Sequence, residues 1–411
     1  MPAGLTRDRI PALLVGTLGL AAVVTYYRQV WPSAPAFVES IDHCGSLFCD
    51  FVNHYYRMGR QVFVSPFPVD GFFYSAFFAL LLRPFGRAPL ETALWYWGVV
   101  QVVTSVALLV VPAGRMLRSP AMTVSFYVLA FATSIPVLHN FKWGQVSVIV
   151  SLAVVAAFWA AERGWREAAG LLLGWAAAVK YYPVIFAWHF LVRRDWRTLR
   201  WFVGAVIVFF VLIPVVVLGP KWTWEFQKES AAMVKVDAEY VARNANSQYF
   251  AYVMRRLTGV ARDSGWVTAF VIAGYGIAAA NAWLLWRRRR DGRTRTSALS
   301  MAVLFATLPF LTTTSWPHYF VYLPFCQIVA GVEAAGRPGW RGRAWVLGGV
   351  CLSALLSSVF VFRLYPDWKT YLNVPFVFLS NATLLLCLWG LMASSSGCEP
   401  EAQHYADTGA K

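Results

Sequence analysis

Trp201–Pro220 reads WFVGAVIVFFVLIPVVVLGP, without one charged residue. A helix needs about 20 apolar residues to cross the hydrocarbon layer of a bilayer, so this stretch predicts a transmembrane span. The same signature recurs at Thr92–Val111, Trp266–Trp286, Ala344–Phe362 and Leu372–Ser396, with Ser119–Asn140 and Trp143–Ala161 as further candidates. Thr296–Val332 is uncharged but too long for one span. Thr312-Thr313-Thr314-Ser315-Trp316-Pro317 divides it, because proline has no amide hydrogen to donate and stops helices. Phe72–Leu82 is short, and Ala168–Val192 carries Lys180 and Pro183 in its middle, as one interrupted helix or a hairpin of two half-helices. The apolar run Ile10–Tyr26 has no clear small-residue cleavage site behind it and reads as an uncleaved first span.

Composition agrees. Of 411 residues, 58% are hydrophobic and 14% charged, against about 25% charged in soluble domains. Aromatics make up 17%, with 20 Trp, a residue that settles where membrane meets water. A net charge of +16 on a soluble protein would point to nucleic acid. Here it has another source. The loops 193–200, 287–295 and 337–343 hold thirteen arginines against two aspartates, and basic loops stay in the cytoplasm. No nucleic-acid partner is implied. The mixed-charge loops 28–70 and 221–265 then face outward, with both termini inside. The expected class is an all-α integral membrane protein: one domain over 1–393 with about 12 transmembrane helices, two extracytoplasmic loops carrying short interfacial helices, and a flexible cytoplasmic tail over 394–411. Six cysteines in a chain this long do not form a disulfide framework. No glycine-rich phosphate loop, zinc spacing or serine-hydrolase elbow occurs.

The first outer loop concentrates chemistry: Ile41-Asp42-His43-Cys44-Gly45-Ser46-Leu47-Phe48-Cys49-Asp50-Phe51-Val52-Asn53-His54-Tyr55-Tyr56. A plain connection between spans is far shorter. Asp50, between Cys49 and Phe51, is placed to act as a general base on a hydroxyl, or else to cap a helix. Cys44 and Cys49 are spaced to form a small disulfide outside the cytoplasm, or remain two buried thiols. Lys180, flanked by apolar residues, calls for a partner such as a phosphate, unless it snorkels to the interface. His318, in Ser315-Trp316-Pro317-His318-Tyr319, either meets a phosphate or sugar hydroxyl or caps a helix. Asn140-Phe141-Lys142-Trp143-Gly144-Gln145 is a polar knot between two spans. Asn244-Ala245-Asn246-Ser247-Gln248-Tyr249 pairs amides with an aromatic, a combination that suits sugars and also turns. All twenty acids lie in loops or at the ends of apolar runs. Coupled transporters place ionisable groups within spans, so this distribution favours an interfacial enzyme over a coupled transporter; a lipid or polyisoprenoid transporter or flippase without covalent chemistry, and a non-catalytic assembly subunit, stay open.

In this order, the pieces resemble glycosyltransferase family 87 of the GT-C superfamily. Asp50-Phe51 and Tyr55-Tyr56 match its first-loop pattern, Ser65-Pro66-Phe67-Pro68 an aromatic-proline step, and Gly144-Gln145 a span-opening pair with Ser147 in place of the usual Asn. Lys180 to Pro183 matches a Lys-x-x-Pro, Asn246-Ser247-Gln248 an altered amide patch, and Ser315-Trp316-Pro317-His318 a Ser-Trp-x-His step. The resemblance implies a GT-C-type bundle in the plasma membrane. It also implies inverting transfer of a hexose, commonly mannose, from a polyprenyl-phosphate sugar to a lipid or glycan acceptor at the outer face. Asp50 would be the base. Lys180 and His318 would offset charge on the leaving phosphate. Gln145, Asn246, Gln248, Tyr55 and Tyr56 would bind donor phosphate or sugar. No cofactor or protein-held metal is expected beyond the donor.

Overall fold

A computed structural model describes residues 47–115, 121–261, 263–288, 295–337 and 341–393, with isolated positions before residue 47. The expected first span, Asp42, Cys44 and the tail from 394 lie outside the described residues.

Every named element among the described residues is helical. A π-turn, Phe51–Tyr56, runs into α1 (Arg57–Gln61), and α2 (Ala76–Leu81) and α3 (Arg83–Arg87) follow. Then come α4 (Leu90–Arg115), α5 (Ala121–Ala132), α6 (Ile135–Trp143), α7 (Ser147–Glu162) and α8 (Arg166–Val179). After a 3-10 turn at Tyr182–Phe186 lie α9 (Ala187–Val192), α10 (Trp196–Val206), a second π-turn, α11 (Ile213–Leu218) and α12 (Pro220–Arg243). The remainder comprises α13 (Phe250–Thr258), α14 (Gly265–Arg287), α15 (Arg295–Leu311), α16 (Leu323–Ala335), α17 (Arg343–Leu356), α18 (Val359–Phe362), α19 (Trp368–Leu372) and α20 (Phe376–Ala393).

Among the described residues, four helical stretches are long and apolar enough to cross a membrane: Leu90–Pro112, Trp196–Leu218, Gly265–Arg287 and Trp368–Ala393. Several expected spans are broken. Ser119–Asn140 breaks between α5 and α6, and Ala344–Phe362 between α17 and α18. The two breaks satisfy each other: Ile135 donates to the Ser357 carbonyl at 2.8 Å and Val359 to the Thr133 carbonyl at 2.8 Å. An apolar phase tolerates a broken helix only where its freed backbone groups find such partners. Thr296–Val332 divides as its proline predicts, into α15 and α16. Ala168–Val192 is interrupted at Lys180, whose backbone is extended.

The segment 221–265, expected to be the second outer loop, differs from the expected short interfacial helices. Its first part is the 24-residue α12. No proline or glycine falls between Lys221 and Arg243, and Lys, Glu, Gln, Ala and Met there are strong helix formers.

Close packing relies on small residues. Gly170 and Gly174 form a Gly-x-x-x-Gly face on α8 against α10. A Cβ at Gly170 would sit 2.6 Å from the Thr198 oxygen, and one at Gly174 2.5 Å from the Ala205 Cβ. Such spacing lets helix backbones approach in a membrane. In the C-terminal half, buried polar groups link helices. Tyr322 donates to Asn381 (3.0 Å), Asn381 to the Ala306 carbonyl (2.9 Å), and Gln327 to Ser353 (3.0 Å). The bundle thereby holds the loop before α1, the α6–α7 junction, the end of α8 and the turn at Pro317–Phe320 in one place.

Candidate active site

The site is organised by the α6–α7 junction. Gly144 ends α6 in the left-handed region, φ 66°, a conformation glycine adopts without a Cβ penalty. The next carbonyls are held by α4: the Trp97 indole donates to the Gly144 carbonyl (2.9 Å) and the Gln101 amide to the Gln145 carbonyl (2.9 Å). Asn140 in turn donates to the Gln101 side chain at 3.0 Å. The segment ahead of the first π-turn docks here, with the Phe48 amide donating to the Lys142 carbonyl at 2.7 Å. Phe48 itself is left-handed, φ 61°, unusual for a bulky residue. Its ring packs edge-on against Phe141.

This docking carries Asp50 to Gln145. The Gln145 amide nitrogen donates to the Asp50 carboxylate. The other end of the amide accepts from Tyr55 (2.9 Å) and Tyr74 (3.0 Å), whose hydroxyls lie 2.6 Å apart. Phenols aimed at the amide oxygen leave its nitrogen facing the carboxylate, so the tyrosines set the flip of the amide. Tyr74 is placed by its neighbours: Ser230 of α12 donates to its carbonyl (3.1 Å), and Ser75 bonds the Ala178 carbonyl at the end of α8.

Lys180 lies where α8 stops. It is 5% exposed, donates to Ser147 (3.3 Å), and its ammonium rests 3.7 Å from the centre of the Tyr319 ring. Tyr74 and Tyr182 flank it at 5.5 and 5.8 Å. An ammonium on an aromatic face is held by the ring quadrupole. Asp50 is close enough for its charge to act on Lys180.

His318 is buried in the 3-10 turn Pro317–Phe320, stacked on His139 at 5.5 Å. His139 is in turn stacked on Trp368 at 5.3 Å. The His318 Nδ1 has no hydrogen-bond partner among the described residues. Burial holds the imidazole well below its ordinary titration range, and Lys180 and His139 add to the effect. Asp50, Gln145, Tyr55, Lys180 and His318 therefore share one neighbourhood, although they come from four separate segments.

Other expected residues are placed differently. The Tyr56 hydroxyl donates to the Ala88 carbonyl at 2.9 Å, ahead of α4, and turns away from Gln145. Gln248 is held on both sides of its amide: it accepts from the Phe378 amide (3.1 Å) and donates toward the Asn246 carbonyl (3.4 Å). Its backbone donates to the Ser315 carbonyl at 2.7 Å, which ties the amide patch to the His318 segment. The Asn246 Oδ1 is buried and without a partner among the described residues. Cys49 is disulfide-bonded, and Cys44 lies outside the described residues. Tyr74, Tyr319 and Gln101 were not singled out from sequence. Gln101 had a signal, as an amide inside an uncharged span. The tyrosines sit among other aromatics and look like interface residues.

A polar, mostly buried cluster wedged between broken helices defines an integral membrane protein built around an internal chemical site. Residues 72–315 match the profile of glycosyltransferase family 87, and the chain belongs to that family. Relatives of similar length bear this out. The chain is 31% identical over 363 residues to a polyprenol-phosphate-mannose-dependent alpha-(1-2)-phosphatidylinositol pentamannoside mannosyltransferase of Mycobacterium tuberculosis, covering 84% of this chain and 77% of that one. It is 26% identical over 369 residues to a protein of the same description from Mycolicibacterium smegmatis, covering 85% and 84%. An M. tuberculosis polyprenol-phosphate-mannose-dependent alpha-(1-2)-phosphatidylinositol mannoside mannosyltransferase is 25% identical over 337 residues, 73% of each chain. No solved structure gives a significant match. The chain is a membrane glycosyltransferase.

Proposed function

We propose that the protein transfers mannose from a polyprenyl-phosphate donor to a hydroxyl of a lipid or glycan acceptor, at the outer face of the plasma membrane and with inversion. The observation that carries the mechanism is the contact between Asp50 and the oriented Gln145 amide, with Lys180 on the same cluster. The donor class is supported by the names of three relatives. The sidedness is supported by the basic loops, and about 12 spans remain the topology that the sequence favours.

Asp50 takes the proton from the acceptor hydroxyl. That oxygen attacks the anomeric carbon in line, and the bond to the phosphate oxygen breaks, with its electron pair leaving on polyprenyl phosphate. Lys180 moves from the Tyr319 ring to the phosphate, and His318 donates a hydrogen bond to it. Both oppose charge that develops in the transition state, an effect of the oxyanion-hole type. Gln145 keeps the carboxylate aimed, and Asn246, with its unpartnered oxygen, meets a sugar hydroxyl. We assign no resident cofactor. Asp50→Asn keeps size and removes the base. In a reconstituted assay with labelled polyprenyl-phosphate mannose and a membrane lipid extract, it abolishes transfer while the protein still purifies as a folded species. Retention of more than about a tenth of the wild-type rate, equivalent to about 1.4 kcal/mol of barrier, rules Asp50 out as the base.

A further inference from the structure

A general base that collects a proton inside a closed site must pass it on before the next turnover. Asp50 is 17% exposed and lies beside buried residues. His54 stands one turn further along the same helical segment, 29% exposed, with its Nε2 at 3.8 Å from Asp50 Oδ1. Its other nitrogen, Nδ1, lies 2.7 Å from the Asp70 carbonyl oxygen. A carbonyl only accepts, so Nδ1 carries the hydrogen. The lone pair of the neutral ring is then on Nε2, toward the carboxylate. Asp50 thus has a fixed donor on one side, Gln145, and an unprotonated nitrogen on the other.

The ring is also held in place. Gly71, at φ 74°, lies flat beneath it: a Cβ there would approach the His54 Cε1 at 2.5 Å and Nδ1 at 2.8 Å. A turn shaped to seat an imidazole, a bond that fixes its tautomer and partial access to water are the three features of a proton relay. A separation of 3.8 Å exceeds a hydrogen bond, and contacts of this kind tighten when substrate binds.

Resting on the functional reading above, we propose that His54 is the exit for the proton that Asp50 collects. After the acceptor oxygen has bonded to the anomeric carbon, Asp50 is left as a carboxylic acid. Its proton passes to Nε2, giving an imidazolium whose Nδ1 hydrogen stays on the Asp70 carbonyl. The Nε2 proton then leaves to water, which restores both groups. His54 touches no substrate in this scheme and acts through Asp50.

The test compares wild type, His54→Ala, His54→Gln and Asp50→Asn in the transfer assay, each with and without added imidazole. His54→Ala opens a ring-shaped notch over Gly71 at a partly exposed site, where free imidazole can bind. The expected result is a fall in kcat of about 10- to 100-fold for both His54 variants, with KM for the donor within about twofold. Imidazole should restore His54→Ala several-fold, in proportion to its neutral form, and leave Asp50→Asn silent. His54→Gln retains an amide hydrogen for the Asp70 carbonyl but no basic nitrogen, so it keeps the fold and fails as a relay. Full activity of His54→Gln overturns the inference, as does a loss in His54→Ala that imidazole does not touch. A wild type silent with every polyprenyl-phosphate sugar overturns the functional reading itself, a result separable from failure of the relay.

Discussion

Gln145→Leu removes the amide that links two buried phenols to Asp50, with little change in volume. The donor lost is one aimed at a carboxylate, and hydrogen bonds to charged groups contribute about 1.5–3 kcal/mol net. If that energy holds Asp50 in its productive orientation, the loss appears in kcat. At about 1.4 kcal/mol per factor of ten, transfer slows by about 10- to 150-fold. The phenols keep their mutual contact of 2.6 Å, but one hydroxyl hydrogen loses its acceptor. An unsatisfied buried group costs a further 1–3 kcal/mol, approximately, in stability. The cleanest assay is a double-mutant cycle with Tyr74→Phe. Tyr74 reaches Asp50 through the Gln145 amide, so its removal should slow wild type by about 2- to 10-fold, on the scale of one neutral hydrogen bond. It should do nothing in the Gln145→Leu background. Rates of labelled transfer at saturating donor give all four corners. Equal effects of Tyr74→Phe in both backgrounds would refute the chain from phenol to amide to carboxylate.

Three further outcomes are expected. Gly144→Ala places a Cβ 3.0 Å from both the Phe48 Cβ and the Trp97 Nε1 at a left-handed position, so it should destabilise by roughly 1–2 kcal/mol from backbone strain alone, read as a lower unfolding midpoint in detergent, and should also slow transfer. Gly174→Leu should separate α8 from α10 and sharply reduce the yield of folded protein, whereas Gly204→Ala, with nothing within 4 Å of its Cβ, should match wild type in the same purification. His318 is held neutral by burial, well below its ordinary value of 6.5. The unfolded chain gains a proton there as pH falls through about 6.5 while the folded chain does not, so stability declines on acidification; His318→Gln should flatten that decline in thermal melts taken between pH 7 and 5.

The apolar spans were legible because a bilayer imposes a length and a composition that no soluble helix needs. Their breaks were not. Thr133-Ser134 and Ser357-Ser358 interrupt runs that read as continuous, and each break exists because the other supplies its hydrogen bonds. A single sequence does not show that pairing. Proline marked the division at Pro317, where the cause is local. The site divides along the same line. Asp50, Gln145, Lys180 and His318 stood out as polar residues in apolar surroundings, and the structure gathers them. Tyr55 and Tyr56 were equivalent on paper. Adjacent helix positions point in different directions, so only one of them faces Gln145, and the fold selects Tyr55. Gln248 shows what a single sequence leaves out: an amide beside aromatics suits a sugar, and in the fold the Phe378 amide donates to its side chain while its backbone donates to the Ser315 carbonyl. Tyr74 was invisible because its importance lies in one hydrogen bond to a residue 71 positions away.

A base and a phosphate-binding cation in the same small site work against each other. A lysine paired directly with Asp50 would stabilise the carboxylate and lower its appetite for a proton, and the ammonium would be neutralised before any phosphate arrived. The geometry separates the two demands. Asp50 is held by a neutral amide whose orientation is set by neutral phenols, so its aim comes from groups that carry no charge. Lys180 rests on Tyr319 at 3.7 Å and on the Ser147 hydroxyl at 3.3 Å. Those partners hold an ammonium more weakly than an anion does, so they keep it in reserve for one. In the proposed reaction, arrival of the donor phosphate draws Lys180 off the ring. As the glycosidic bond breaks, charge grows on the phosphate, next to the cation, while positive charge grows at the anomeric carbon, toward the acceptor oxygen that Asp50 deprotonates. In the proposed reaction, neutral groups aim the carboxylate while Lys180 meets the growing charge, so one buried cluster serves both tasks.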